Sequence, residues 1–135
     1  MNENHKRVLA AYLRHVEKRV DGMKAELEDE TAGAGAVLYT LKLNVKQDAR
    51  TRLLRGASDM LDEIRLIKAT CELEPRTESS RSNVRALLMD MWETVNDLRP
   101  KTLEGYGPLT TGDREVLDSH VSRLLAILDG MLSSL

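Results

Sequence analysis

Apolar residues recur at alternating intervals of four and three in four separate segments of this chain. Because these intervals average close to one helical turn, each set falls on one stripe of an α-helix. The stripes are Leu9, Leu13, Val16, Val20, Met23 and Leu27; Leu53, Ala57, Met60, Ile64, Ile67 and Cys71; Val84, Leu88, Met91, Val95 and Leu98; and Leu117, Val121, Leu124, Leu128, Met131 and Leu135. The sequence therefore predicts four amphipathic helices.

Turn-forming residues separate the four segments. The separators are the glycine–alanine run at 31–36, Pro75 with the polar run that follows it, and the stretch 100–112. Four such helices joined by turns predict an all-α fold, an antiparallel up-down four-helix bundle with coiled-coil-like heptad packing. We expect the first two helices to be the long ones, and residues 1–135 to form a single helical-bundle domain.

Residues 37–46, "VLYTLKLNVK", fit two secondary structures. Apolar and polar residues alternate there as in a half-buried strand, but Leu38, Leu41 and Val45 also have helical spacing. A strand would have to pair with a copy of itself in a dimer, because no other segment alternates in this way. We favour a helix running from about residue 37 to 73. Its exposed apolar overhang, which includes Tyr39, predicts a homodimer through the first two helices.

Composition bears on the kind of partner. The chain has 20 basic and 22 acidic residues, and this near-neutrality argues against a nucleic-acid binder. It has no run of 18 apolar residues, so no membrane partner is expected. The charged N-terminus lacks the apolar core of a secretory signal and Cys71 is the lone cysteine, so we expect a cytoplasmic protein.

Residues for chemistry are sparse. The sequence contains no Glu-x-x-His, one cysteine and three histidines, which argues against a metal site. It contains neither a nucleophile motif nor a phosphate-binding loop. We therefore expect no catalytic residues and no cofactor. The leading hypothesis is a non-enzymatic, self-associating module for protein interaction or regulation, whose partner is itself or another protein.

Basic residues give one local partner signal. Lys42, Lys46 and Arg50 are four apart, which is one face of a helix, and Arg52 and Arg55 follow. They could bind phosphates or an acidic protein surface. The alternative, which we favour, is pairing with the acidic end of the first helix (Glu26, Glu28, Asp29 and Glu30) across a hairpin turn at 31–36.

The connection from Pro100 to Gly112 is longer than is usual between bundle helices. We expect Leu103 and Leu109 to anchor it on the bundle end, with the threonines and Asp113 capping the last helix. Tyr106 then has no structural role. Together with Trp92 it is our candidate for a partner-facing patch near one end of the bundle.

Two alternative functions stay open. The sequence His15-Val16-Glu17-Lys18 resembles the His-x-x-Lys of histidine phosphotransfer domains in two residues, although Arg19 replaces the usual glycine and Glu17 the usual leucine. That resemblance implies a phosphorelay bundle that uses a solvent-facing His15. The other alternative is a small-molecule sensor with a pocket between the helices.

Overall fold

The computed structural model describes residues 1–29 and 31–135, and within them every regular element is helical. The elements are α1 (Glu3–Glu28), α2 (Gln47–Thr70), α3 (Ser80–Asn96), α4 (Pro100–Leu103) and α5 (Thr111–Ser133), with a 3₁₀ turn at Glu104–Tyr106. The all-α prediction is confirmed. The described part of the chain has five α-helices where the spacing predicted four, because the connection after α3 forms the short α4.

The described residues divide into two compact units. Unit 1 spans Met1–Arg76, in which α1 packs against α2; unit 2 spans Thr77–Leu135, in which α3 packs against α5. Each unit is an antiparallel helix pair. The four-helix bundle and the single domain stay predictions.

In unit 1, α1 follows the sequence pattern closely. Asn2 and His5 form a capping box at its start, in which the Asn2 side chain accepts a hydrogen bond from the His5 backbone. All six predicted stripe residues of α1 are buried or half-buried, with Val20 and Leu27 the most buried. The Lys6 ammonium lies 3.5 Å from the Glu72 carboxylate, so the start of α1 is held to the end of α2.

The predicted helix over 37–46 is wrong, since α2 begins at Gln47 and residues 37–46 form neither helix nor strand. Val37, Tyr39 and Val45 lose side-chain freedom in a helix. Short helices depend on packing for their stability, and the residues of this stretch are exposed. Without the overhang, α1 and α2 (26 and 24 residues) are only slightly longer than α5 (23 residues).

On α2 and on α5, four of the six predicted stripe residues are buried or half-buried, and the packed face also takes in residues beside the stripe. On α2, Leu53 and Met60 of the stripe are exposed, whereas Leu54 and Leu61 beside it are half-buried. On α5, Leu125 is buried, whereas Leu124 is 45% exposed. A straight helix drifts about 20° per heptad from a strict seven-residue repeat, so the strict repeat leaves the contact face. Val84, Met91 and Leu98 of the α3 stripe are exposed as well.

The two longer helices of unit 2 begin at N-cap residues. The Ser79 and Thr110 side chains accept hydrogen bonds from the backbones of Ser82 and Asp113 at the starts of α3 and α5. Its buried core consists of Leu88, Val121, Leu125 and Leu128.

Polar contacts then run along the whole length of the α3–α5 pair. They join Arg81 to the Leu135 carbonyl at 2.8 Å, Trp92 to Asp129 at 3.1 Å and Arg99 to Asp118 at 2.7 Å. These contacts pair the start of α3 with the end of α5, as an antiparallel arrangement requires.

Candidate interaction segment

Residues 37–45, here called the apolar segment, lead from the turn after α1 into α2. Their apolar side chains face solvent. The exposed fractions are Val37 93%, Leu38 95%, Tyr39 64%, Leu41 46%, Leu43 49% and Val45 37%. A contiguous exposed apolar patch on a folded protein commonly marks a surface for association.

The backbone of the apolar segment is open as well. Within residues 1–29 and 31–135, no N–H or carbonyl group of residues 37–45 takes part in a hydrogen bond. A row of unpaired backbone groups beside apolar side chains has the properties of an unpaired edge strand. The segment therefore offers a partner both hydrogen bonds and apolar area.

Gly33 supports the apolar segment from one side. Its φ of +78° belongs to the left-handed region, which glycine enters without cost. A Cβ atom at this position would lie 3.1 Å from Leu41 Cβ and 3.3 Å from a ring carbon of Tyr39. Tyr39 and Leu41, two residues apart, thus rest on the same turn. That is the periodicity of a strand, with alternate side chains on one face.

Asp29 shapes the turn before the apolar segment. Its carboxylate accepts hydrogen bonds from the Thr31 backbone N–H at 2.9 Å and from the Thr31 hydroxyl at 2.7 Å. Both bonds favour the charged form of the Asp29 carboxyl and so hold its pKa below the ordinary value. The bond from the Thr31 hydroxyl has the larger effect. The ionised carboxylate therefore sets the path of the chain as it leaves α1.

The basic residues are not arranged as predicted. Lys42 and Lys46 precede α2 and only Arg50 lies within it, so the three do not share a helical face. Lys42 and Lys46 are exposed, and Arg50 is half-buried with its Nε shielded from solvent.

The pairing with the acidic end of α1 is not observed for the described acids. Among the residues described, no ion pair joins Lys42, Lys46 or Arg50 to Glu26, Glu28 or Asp29. Glu30, the fourth acid of that prediction, lies outside the described residues. Lys42 and Lys46 are thus exposed and form no ion pair with another described residue.

Trp92 and Tyr106 do not form one patch. The half-buried Trp92 ring packs against the core of unit 2 and its Nε1 donates a hydrogen bond to Asp129. Tyr106 is 90% exposed, on the connection that an ion pair between Glu104 and Arg114 holds to α5. About fifteen residues, or roughly 22 Å of helix, separate Asp129 from Arg114. Of these two aromatic residues, Tyr106 is the one whose ring is exposed.

His15 is exposed, as the phosphorelay alternative requires. Its Nε2 accepts a hydrogen bond from Arg19 Nε at 2.9 Å, so that nitrogen is already engaged. Within the described part of the chain, no three histidine, cysteine, aspartate or glutamate side chains are grouped as metal ligands.

Unit 1 also has an open surface groove of about 710 Å³ between the start of α1 and residues 72–76. Side chains of both signs line it, among them Arg7, Arg14 and Glu74. Lys6 at its edge is near both Glu3 and Glu72. Apolar residues also line the groove, among them Val8 and Leu73, but it is open to solvent and lacks the enclosure expected of a pocket for a small molecule.

The end of α2 holds a motif that the sequence did not reveal. The Leu73 N–H donates to the Lys68 carbonyl at 2.9 Å and the Glu72 N–H to the Ala69 carbonyl at 3.4 Å, which is the Schellman pattern. Glu72 has a φ of +53°. Glycine usually marks this position in a sequence, so a glutamate gave no signal.

None of the described helices has the length and apolar character needed to cross a membrane. Comparison with protein-family models, with curated protein sequences and with solved structures found no match to this chain.

Proposed function

We propose that the chain is a non-enzymatic, cytoplasmic interaction module that self-associates as a homodimer through unit 1. The exposure of the apolar segment is the observation that carries this proposal. Fully burying a leucine or valine side chain contributes about 1.5–3 kcal/mol, and the apolar segment presents six apolar side chains to solvent. Covering them with another chain is the direct way to gain that free energy.

Charge favours a second copy as the partner. Residues 42–55 carry five basic side chains against Asp48 alone, whereas Glu26, Glu28 and Asp29 close α1 with negative charge. No ion pair joins these described groups within one chain. A dimer can place the acidic end of one copy against the basic stretch of the other. Such complementarity guides association and fixes orientation.

Light scattering over a range of protein concentrations tests the proposal. We expect the mass to rise from 15.2 kDa towards twice that value. A Leu43→Ser, Val45→Ser double variant should stay at the lower mass. Leu87→Ser, which changes an exposed leucine of unit 2, is the matched control and should behave like the parent. A chain that keeps the mass of a monomer at every concentration contradicts the proposal.

A further inference from the structure

We infer that two copies pair through their apolar segments as antiparallel strands, in the register that places Leu41 opposite Leu41 of the second copy. This inference rests on the proposed self-association and specifies how it occurs. It starts from an alternating segment whose backbone groups are unpaired within the described chain. It also uses a symmetry within the sequence of that segment.

The apolar positions are symmetric about Leu41. Val37, Tyr39, Leu41, Leu43 and Val45 are spaced two residues apart, with Leu41 in the middle. An antiparallel pair centred there sets Val37 against Val45, Tyr39 against Leu43 and Leu41 against itself. All five apolar residues of one face then meet apolar residues of the other copy. Cross-strand pairs of this kind are what stabilise a sheet.

The positions of the charged residues on the polar face favour the same register. With Leu41 at the centre, Lys42 lies opposite Thr40 and Lys46 opposite Ala36, so no two cations face each other. Centring on Lys42 instead would put Lys42 directly against Lys42, which is destabilising. Centring on Thr40 would set Val45 against Gly35. Registers that differ by one residue set the apolar face of one copy against the polar face of the other.

The turn at Gly33 lies beside one face of such a ribbon. A two-stranded ribbon is marginal in water unless something packs on one face. Tyr39 and Leu41 lie beside Gly33 and are otherwise exposed, so the turn is in place to pack against the middle of the apolar face. Lys42 and Lys46, on the opposite face, stay in water.

Single-cysteine variants in a Cys71→Ser background test the register. Directly opposed residues in antiparallel strands have Cα atoms about 4.5–5.5 Å apart, within the range of a disulfide. Under mild oxidation Leu41→Cys should give a covalent dimer, and Lys42→Cys and Leu43→Cys should not. An equal mixture of Tyr39→Cys and Leu43→Cys should cross-link to each other. Cross-linking of every single variant to itself would indicate parallel strands and overturn the register.

Charge at residue 40 gives a second readout. Thr40→Lys puts a cation opposite Lys42 and should weaken the dimer about two- to thirtyfold, and Thr40→Glu should strengthen it by a similar factor. Thr70→Lys, an exposed threonine at the end of α2, is the matched control and should change nothing.

The outcomes separate the two proposals. A dimer by light scattering without a Leu41→Cys cross-link, or with no response to charge at residue 40, overturns the strand register and leaves self-association standing. A monomer at all concentrations overturns both.

Discussion

Single residues fix the backbone conformation at the ends of α1 and α2. Asp29 does so with a carboxylate that accepts two bonds from Thr31. Glu72 does so with a left-handed backbone that lets Leu73 fold back into the packed face of unit 1, where Leu73 is 7% exposed. Neither residue belongs to an apolar stripe. Both residues are polar, and each fixes the local backbone at the point where its helix ends.

Removing the Thr31 hydroxyl should raise the pKa of Asp29. Thr31→Ala deletes the larger of the two stabilising bonds and leaves the backbone N–H in place. We expect the Asp29 pKa to move up towards its ordinary value of 3.8, measured from the carboxyl carbon shift in an NMR titration. Thr31→Ser keeps a hydroxyl and should leave the pKa low; an equally low value in the alanine variant would show that the hydroxyl has no effect.

The same shift sets the direction of a pH effect on folding. The Asp29 pKa is lower in the folded than in the unfolded chain, so its contribution to stability is present above the unfolded pKa. It is lost as the pH falls through the folded pKa. Asp29 is fully exposed, so the effect belongs to the local turn.

The type of residue at a helix end determines whether its cap can be predicted from the sequence. Ser79 and Thr110 are common cap types beside a regular stripe, so they mark α3 and α5 correctly. Glu72 occupies a position where glycine is the usual signal, so the motif it forms could not be read from residue type.

At the level of elements, the spacing of apolar residues predicts where a helix forms. It predicts less well which face of that helix is buried. On α1 the six stripe residues all turn inward. On α5 two stripes compete, because Leu124 and Leu125 are adjacent and each continues a helical series. Which of the two faces is buried depends on where α3 packs. The sequence of α5 does not give that position.

Truncating each of the two neighbours tests the packed side of α5. Leu125 is 7% exposed and belongs to the core of unit 2, so Leu125→Ala should lower the free energy of unfolding by about 2–5 kcal/mol. Leu124 is 45% exposed, and Leu124→Ala should cost much less, close to the roughly 0.5 kcal/mol of surface substitutions. Chemical denaturation followed by circular dichroism measures both. Equal losses would contradict the placement of α5 against α3.

The apolar segment shows why local patterns can mislead. Its helical and strand periodicities are both real, and neither element has a partner within the described chain. Helix formation needs packing and strand formation needs a neighbouring strand. Under the proposed self-association, the second copy supplies the packing that decides between the two structures.

Across the described part of the molecule, exposed large hydrophobic residues outnumber the buried ones. Within the described residues, eight hydrophobic residues are buried and twenty-two large ones are exposed. The exposed set is spread over both units, and its largest contiguous run along the chain is the apolar segment. The all-helical character of the chain and its four longer helices could be inferred from the sequence, whereas the short α4 and the packed faces of α2 and α5 could not. The division into two units could not, because it depends on contacts between distant residues.

Self-association should make thermal stability depend on concentration. A partner that binds only the folded state raises Tm by mass action. We expect Tm to rise about 2–4 °C for each tenfold increase in protein concentration, measured by scanning calorimetry. A Leu41→Asp variant, changed at the centre of the apolar segment, should have a Tm that does not depend on concentration. A parent chain with a constant Tm would argue that folding and association are not linked.

The exposed backbone of residues 37–45 has a consequence for handling the protein. A strand has two edges, and pairing with one copy satisfies only the first. In the inferred strand pair, the outer edge of each segment would be open to a further chain, and a short apolar run of high β-propensity is the kind of sequence that grows into fibrils. Lys42 and Lys46 then act as gatekeepers, since stacking chains brings these cations together. High salt screens that repulsion. We therefore expect gelling to begin in concentrated samples at high salt.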